Sequence, residues 1–533
     1  MKSVLSILLL GAIATTVVAQ TPDTAKHVLK EVVVKGQQAI IRQKADRTII
    51  VVDGAVLKLA DNAMQLITLA PGVTISDNED AIQLSGKDGV EVMINNKLVK
   101  LSGRDLLKLL KSMPAGSVSQ VEIMPNPSAK YDVSGNMGLL NIVTKGNELT
   151  GFNGNVDVET SQSIHNMSDL SSTFNYGSNK LALTAYLGYH SGNYPTQYTE
   201  ERQSPNGFLQ QQNHTDERWS DPIFRLAGDY FLSSQQTLSA LIEQERSNNH
   251  GGYLTNSGTP DSAYLTTSVN PHKTQWDTYN LSYRFADTTG TELVLELNDA
   301  QFHKDDQDDI TDEYFASNTT DNSFYHTLTD IDLLTLKGDF TRTWKSKLKL
   351  EAGFKISRVS TQNDFTALTS NNFTYHENVN ALYFNLNKSF GRWSLQVGAR
   401  VEQSHVEGIS TDANTHPIIQ PDSSYVNLLP AIYLTFQPSE KDNFRLSLNE
   451  RLKRPNYSDL QPFSYQIDPT DVQVGDPSLR VQRNYNAELA YTYNDRVTLT
   501  AEYTHTVDFL HRRPTWRIIF ISRPCRIPAP LIT

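Results

Sequence analysis

The feature that most constrains this chain is an alternation of apolar and polar residues with a period of two, which continues from about residue 151 to residue 509. Such a pattern predicts β-strands with one apolar and one polar face. Residues 348–357 and 393–402 are clear examples. Apolar residues make up only 38% of the 533 residues, and mean hydropathy is −0.42. The chain therefore lacks the series of apolar runs, each of roughly 20 residues, that a helical membrane protein requires.

Charge and cysteine content exclude two further classes. The formal net charge is −12, which argues against a nucleic-acid-binding protein because those normally carry a basic balance. A single cysteine in 533 residues cannot support a disulfide scaffold. The length is more than one compact core accommodates, so we expect either several domains or one large barrel.

The connections between strands distinguish a membrane barrel from a soluble β-protein. Tight turns at 345–346, 391, 440–442 and 494–495 alternate with long polar segments, which we interpret as loops, at 361–375, 404–424 and 455–484. Outer-membrane barrels have short periplasmic turns and long outer loops. Loops of this length are unusual inside a compact soluble domain. The pattern therefore favours a transmembrane antiparallel β-barrel, and a secreted soluble β-protein is the alternative.

The N-terminus predicts export. Lys2 precedes a short apolar stretch, and Val17, Val18 and Ala19 fit the small-residue rule for cleavage before Gln20. Residues 1–19 are therefore predicted to be a signal peptide. A membrane anchor is the alternative, but the apolar stretch is short for a span.

Residues 37–147 have a different pattern, that of a compact α/β domain. Short β-branched or alternating runs predict strands at 48–52, 90–94, 121–124 and 139–143. Residues 62–71 and 104–111 have helical spacing, and each segment is followed or ended by proline. Ser102 is a candidate N-cap for the second helix.

Specific motifs in both regions resemble the TonB-dependent outer-membrane receptors, in particular members with the Bacteroidota-type barrel. Residues 121–145 (VEIMPNPSAKYDVSGNMGLLNIVTK) resemble the end of the plug domain of these receptors. Residues 66–75 (LITLAPGVTI) and 101–110 (LSGRDLLKLL) resemble earlier plug motifs. Residues 454–463 (RPNYSDLQPF), 475–479 (GDPSL) and 486–489 (NAEL) resemble a signature of the late barrel strands. Ser85 stands where many plug domains carry arginine, so an arginine role in plug anchoring does not transfer.

The resemblance implies a plugged barrel in the outer membrane of a Gram-negative cell. It implies an N-terminal α/β plug at 37–147 and a barrel at 148–510. The family has 22 strands, whereas the alternation predicts about 18 or 19. The implied activity is import of a small, scarce nutrient, with energy supplied by the inner-membrane TonB–ExbB–ExbD complex. The implied partners are that complex, outer-membrane lipid and a small-molecule ligand, with no nucleic acid, no cofactor and no catalytic residue.

The predicted energy-coupling site lies in the periplasmic segment 20–36. Glu31, Val32, Val33, Val34 and Lys35 resemble a TonB box in position and composition. Three successive valines suit an extended strand, which can add to the sheet edge of a partner. The alternative is that these residues simply form the first strand of the plug.

Other clusters of polar residues have simpler explanations. The acidic run at 305–313 could bind a hard cation, but an outer loop in solvent explains it more simply. The three histidines His303, His326 and His376 lack the spacing of metal ligands. We therefore predict no metal site, and the sequence leaves the ligand-binding residues unknown.

Alternative functions remain open at this point. A non-transporting surface protein, such as an adhesin or a sensor, is one alternative. A sensor of this family would carry a signalling domain before the box, and about ten residues separate Gln20 from Lys30. The same short segment disfavours a glycan importer with an added N-terminal domain, so we favour a siderophore-like or other small ligand.

The last segment, 511–533, departs from the pattern. It contains five arginines, no acidic residue, four prolines and Cys525. Because four prolines cannot form a central strand, we expect an aberrant tail produced by a frameshift and a barrel that is incomplete. A non-functional truncated receptor is therefore a further alternative, and a genuine basic tail is the other interpretation.

Overall fold

The structure is a computed structural model. It describes residues 41–508 and 515–522, except for short gaps. The gaps lie at 55, 77–80, 100, 102, 133–134, 146–149, 163, 205–206, 260–261, 368–369, 412–416, 420–422, 469–470, 475, 477–478 and 495–496. The predicted signal peptide, the predicted TonB box and Ser102 lie outside the described residues.

The N-terminal domain is a small mixed α/β unit, as predicted. Its strands and helices are β1 (Ile41–Gln43), β2 (Thr48–Val51), α1 (Ala63–Thr68), β3 (Val73–Ile75), β4 (Ile82–Leu84), β5 (Val90–Ile94), β6 (Lys97–Leu98), α2 (Gly103–Ser112), β7 (Val118–Met124) and β8 (Gly138–Thr144). Six strands form one sheet in the order β1-β2-β7-β8-β5-β6, and β3 pairs with β4. We call this domain the plug.

Local signals explain the helices of the plug. Asn62 caps α1, since its side chain accepts a hydrogen bond from the backbone N–H of Gln65 at 3.0 Å. In α2 the leucines lie on one face, where Leu107, Leu109 and Leu110 are buried. Both helices pack into one apolar cluster with the plug strands. Apart from Tyr186 and Ile223, every buried residue of that cluster belongs to the plug.

The remaining strands form one antiparallel barrel sheet. They are β9 (Gly151–Gln162), β10 (Asn166–Gly177), β11 (Leu181–Ser204), β12 (Gly207–Phe231), β13 (Gln236–Thr259), β14 (Ser262–Ala286), β15 (Thr291–Tyr314), β16 (Thr319–Thr343), β17 (Leu348–Thr366), β18 (Ser370–Phe390), β19 (Trp393–Thr411), β20 (Pro417–Ile419), β21 (Ser423–Phe436), β22 (Asp442–Lys453), β25 (Gln482–Tyr493), β26 (Val497–Val507) and β27 (Thr515–Ser522). A separate hairpin, β23 (Ser464–Asp468) and β24 (Asp471–Val474), lies in the connection between β22 and β25.

The described barrel has fewer strands than the 18 or 19 predicted. It contains seventeen, and β20 is only three residues long. The reason is strand length, because β11 to β16 each contain 24 or 25 residues. A tilted strand crosses the hydrocarbon with roughly 9–11 residues. These strands therefore continue well beyond the membrane as paired walls.

The predictions of outer loops at 361–375 and 404–424 are wrong, because the strands are longer than expected. Residues 361–366 and 370–375 are paired in the hairpin of β17 and β18. Residues 404–411 continue β19. Of the three predicted loops, the connection between β22 and β25 is long in the described part of the chain, and it contains a 3₁₀ turn at Tyr457–Leu460 as well as the hairpin. Where a strand extends beyond the membrane into water, both of its faces can carry polar residues.

The tail also differs in part from the prediction. Residues 515–522 form β27, which pairs antiparallel with β26. The four prolines, at 514, 524, 528 and 530, all lie outside this strand. The segment between them is rich in β-branched and aromatic residues, which explains why it can form a strand.

Apolar side chains cover the outer surface of the barrel. Examples that alternate along one strand are Leu382, Phe384 and Leu386 on β18, all exposed to the surroundings. An aromatic row crosses neighbouring strands near the tight turns: Trp393 stacks on Phe436 at 4.2 Å between ring centroids, and further rings continue the row. Such aromatic girdles mark a membrane interface, and short turns are typical of the periplasmic end of an outer-membrane barrel.

None of the described helices is long and apolar enough to cross a membrane.

Candidate functional site

The plug lies against the inner wall of the barrel through polar and charged contacts. Lys87, in the turn before β5, is the most enclosed cation of this interface, with its side chain 1% exposed. Its Nζ lies 2.7 Å from Glu502 and 3.3 Å from Glu488 of the barrel. Asn126 of the plug also donates a hydrogen bond to Glu488 at 2.7 Å. These contacts join the plug to β25 and β26.

Sequence reasoning did not identify Lys87 as an anchor. It noted only that Ser85 stands where an arginine is common. In the structure Ser85 Oγ donates a hydrogen bond to the Gly72 carbonyl within the plug, at 3.2 Å. The cation that faces the barrel carboxylates comes from two residues further along the chain. The sequence around Lys87 contains no signal for this contact, because its partner Glu502 lies 415 positions away.

A second contact joins the end of the plug to β17 and β19. Asp132 forms an ion pair with Lys355, and Arg400 Nη2 lies 3.8 Å from the same carboxylate. The Lys355 ammonium lowers the pKa of the Asp132 carboxyl and outweighs burial, which acts in the opposite direction. Asp132 is therefore ionised in the assembled protein.

The Asp132 contact continues toward the outer side through further ion pairs. Arg400 Nε lies 2.5 Å from Glu402, and Glu402 also accepts a hydrogen bond from Arg454 Nη2 at 2.7 Å. Arg454 Nε contacts Glu377 at 3.0 Å. Because Arg454 begins the long connection between β22 and β25, a continuous set of charged groups joins this outer connection to the plug.

The outer connection packs on the inner wall through aromatic residues. Phe463 stacks on Phe365 of β17 with ring centroids 4.9 Å apart. Tyr457 lies 5.7 Å from Tyr375 of β18, measured between ring centroids. Phe463 and Phe365 are both buried. This part of the lumen combines aromatic faces with the paired charges around Arg454.

A third contact joins α2 to β10 and β11. The His190 imidazole lies between two carboxylates, Asp105 of α2 and Asp169 of β10, the latter at 2.5 Å from Nδ1. Tyr186 donates a hydrogen bond to Asp105 at 3.1 Å. Lys108 of α2 lies 3.6 Å from Asp169.

On the periplasmic side, the hairpin of β1 and β2 borders a polar cavity of about 650 Å³. Arg47 is buried there between Asp46, at 2.7 Å, and Glu122, at 2.9 Å. Burial acts to raise the pKa of Asp46, but the Arg47 guanidinium outweighs it and lowers that pKa to about 2. The cavity lies directly next to the first described residues of the chain.

The predicted box residues Glu31, Val32, Val33, Val34 and Lys35 lie outside the described residues, so their role stays a prediction. The acidic run at 305–313 lies within β15 rather than in a loop. Two of the histidines pair with aspartates: His303 with Asp330 at 2.7 Å, and His326 with Asp305 at 2.9 Å. Within the described part of the chain, no group of three or more His, Cys, Asp or Glu side chains could hold a metal ion.

Comparisons with known proteins agree with this architecture. Residues 284–515 match the outer membrane protein beta-barrel family. A comparison with curated proteins finds no match. Among solved structures, the copper transporter OprC aligns with a TM-score of 0.51 at 12% identity, over 88% of this chain and 72% of that chain.

Two iron transporters align at slightly lower scores. The ferric citrate transporter FecA has a TM-score of 0.49 at 12% identity, over 89% of this chain and 78% of that chain. The ferric enterobactin receptor PfeA from Pseudomonas aeruginosa has a TM-score of 0.48 at 14% identity, over 87% and 71%.

The fold and the matched segment define the class of this protein. It has a β-barrel with an N-terminal plug, and residues 284–515 of that barrel match the outer membrane protein beta-barrel family.

Proposed function

We propose that this receptor imports a small, scarce nutrient across the outer membrane and that the TonB–ExbB–ExbD complex supplies the energy. The observation that carries the proposal is the way in which the plug is built and held. Its apolar core is almost entirely its own, whereas its contacts with the barrel are largely ion pairs and hydrogen bonds. A domain held in this way can separate from the wall without exposing its core.

The charged path from Arg454 to Asp132 supports a receptor that responds to ligand. Binding in the outer part of the lumen would disturb the Arg454 contacts with Glu377 and Glu402. The effect would reach the plug through Arg400. Energy coupling would then act on the segment that precedes the plug, where the predicted box Glu31–Lys35 lies.

The test of coupling is the substitution Val33→Pro. Proline removes a backbone donor and interrupts strand addition to a partner. We expect the purified receptor to lose binding to the periplasmic domain of TonB. Uptake of iron-55 chelates, tested with a catecholate, a hydroxamate and citrate, should fall to the level of a strain without TonB.

The control is Val33→Ile, which keeps the β-branched strand former and should keep both activities. Surface binding of a transported chelate should survive in Val33→Pro, because the outer lumen is unchanged. Wild-type TonB binding and uptake in Val33→Pro would contradict the assignment of the box. Chelate binding without uptake in the unaltered receptor would favour a non-transporting surface protein.

A further inference from the structure

A cavity in the lumen lies on the inner face of the barrel wall, next to the plug. It has a volume of about 230 Å³ and is lined by Glu245 and Ser247 of β13 and by Thr274 and Trp276 of β14. Ile223, which faces Glu245 across the strand pair, packs into the apolar cluster of the plug. The cavity therefore lies beside the part of the barrel wall that the plug core contacts.

The carboxylates around this cavity outnumber their cations. Three acids of the neighbourhood have a basic partner: Asp105 has His190, Asp169 has Lys108, and Glu243 has Arg225. Asp221 and Glu245 form no ion pair with any residue that the structure describes. Asp105, Asp221 and Glu243 all lie close enough to repel the charge of Glu245. Five carboxylates thus share three basic partners around this cavity.

Asp221 of β12, a partly buried residue near this cavity, has a carboxylate oxygen that a bound molecule could satisfy. Ser247 supplies one hydrogen bond to its carboxylate. The other oxygen, Oδ1, is buried and has no hydrogen-bond partner among the described residues. The basic side chains that face Asp221 are the imidazoles of His190 and His272. A buried carboxylate oxygen without a donor is costly, and a donor from a bound molecule would remove the cost.

Trp276 gives the cavity an aromatic wall in a fixed orientation. Its indole N–H donates to Thr278 Oγ1 at 3.0 Å, and its ring packs edge-on against Phe302 with centroids 5.3 Å apart. An indole face beside a carboxylate attracts a cation through both the ring and the charge.

We propose that this cavity is the subsite for a positively charged amine group of the transported molecule. The ammonium group contacts Glu245 and Asp221, and its carbon chain lies on Trp276. The inference rests on the proposed function and narrows it, because it favours an amine-bearing molecule over one that presents only carboxylates at the plug.

The test uses three probes of equal chain length: putrescine, 1,4-butanediol and succinate. They carry two ammonium groups, two hydroxyls and two carboxylates respectively. Binding to the purified full-length receptor in detergent is measured by saturation-transfer NMR. We expect putrescine to bind about tenfold more tightly than either of the others.

The variants Glu245→Gln and Asp221→Asn should each weaken putrescine binding about tenfold, and Trp276→Phe should weaken it by a smaller factor. The matched control is Asp277→Asn, which removes a carboxylate of β14 that is paired with Arg246 at 2.8 Å and lies outside the cavity. It should leave putrescine binding unchanged. Heat-modifiable migration confirms that each variant is folded.

Three results would overturn the inference: no binding of putrescine to the unaltered receptor, equal binding of succinate, or unchanged putrescine binding in both carboxylate variants. The assay contains no TonB and measures no uptake. If putrescine does not bind but uptake depends on Val33, only the proposal of an amine subsite is refuted. If putrescine binds selectively but uptake does not depend on Val33, only the proposal of energy coupling is refuted.

Discussion

Replacement of Lys87 by methionine tests what holds the plug in the barrel. The Lys87 ammonium is shared by Glu502 and Glu488, at 2.7 and 3.3 Å, and these side chains are 5% and 4% exposed. Methionine fills the space of the lysine stem but leaves both carboxylates without their shared cation. Removal of one partner of a buried ion pair costs about 3–5 kcal/mol. Arg445 remains 3.2 Å from Glu488, so we expect the lower value.

The measurement is a urea titration of the receptor in planar bilayers, in which the open conductance appears as the plug leaves the lumen. For a slope of about 1–3 kcal/mol per molar urea, a loss of about 3 kcal/mol lowers the midpoint by roughly 1–3 M. The matched control is Lys58→Met, because Lys58 is an exposed lysine of the same plug.

A double variant separates the charge effect from a packing effect. Adding Glu502→Gln to Lys87→Met removes one of the two uncompensated carboxylates, so the double variant should recover part of the lost stability. If Lys87→Met shifts the midpoint no more than Lys58→Met does, the ion pairs do not hold the plug and the reasoning fails. The same conclusion follows if Glu502→Gln makes the loss larger by its full single-variant effect.

Two further predictions concern the plug and the outer connection. The pKa of Asp46 is lowered to about 2 in the folded plug. Its contribution to the free energy of unfolding, about 2 kcal/mol, is therefore complete above about pH 4 and is lost as the pH falls toward 2. Asp46→Asn should remove that part of the pH dependence of unfolding of the plug itself, measured by amide exchange of β2 and β7, and an unchanged profile would contradict it. Arg454→Gln leaves Glu377 without its guanidinium and Glu402 with Arg400 alone, and it should speed amide exchange in the connection 454–481. Arg483→Gln, which replaces a side chain that is 37% exposed, should not.

The plug could be predicted from the sequence because its signals are local. The helix α1 has a cap, an apolar face and a proline after it, all within ten residues. The strands β2, β5, β7 and β8 are short runs of β-branched or alternating residues bounded by turns. In each case the residues that decide the structure are neighbours in the chain.

The height of the barrel wall could not be predicted in the same way. Inside the membrane one face of a strand must be apolar, and this produces the alternation. Outside the membrane both faces contact water, so residues 361–375 have the composition of a loop. These residues pair with each other in the hairpin of β17 and β18. Their polar composition alone does not predict this pairing.

The partners of the charged residues were also beyond sequence reasoning. Lys87 and Glu502 are separated by 415 positions, and the plug contact of Asp132 with Lys355 joins residues 223 positions apart. A lone lysine or glutamate has the same appearance whether it faces solvent or a buried partner. Only the closing of the wall around the plug brings these groups together.

The contrast between the plug core and the plug surface limits how the plug can move. Separation of Lys87 from Glu488 and Glu502 exchanges ion pairs for hydrated charges, so part of the lost interaction is recovered from water. Opening the core instead exposes residues such as Leu66, Leu110 and Val121, which are fully buried. That exposure costs about 25 cal/mol for each Å² of apolar surface and recovers nothing from water. A pull on the N-terminal side should therefore detach the plug from the wall before it unravels the apolar cluster, and the ion pairs and hydrogen bonds to the wall should break first.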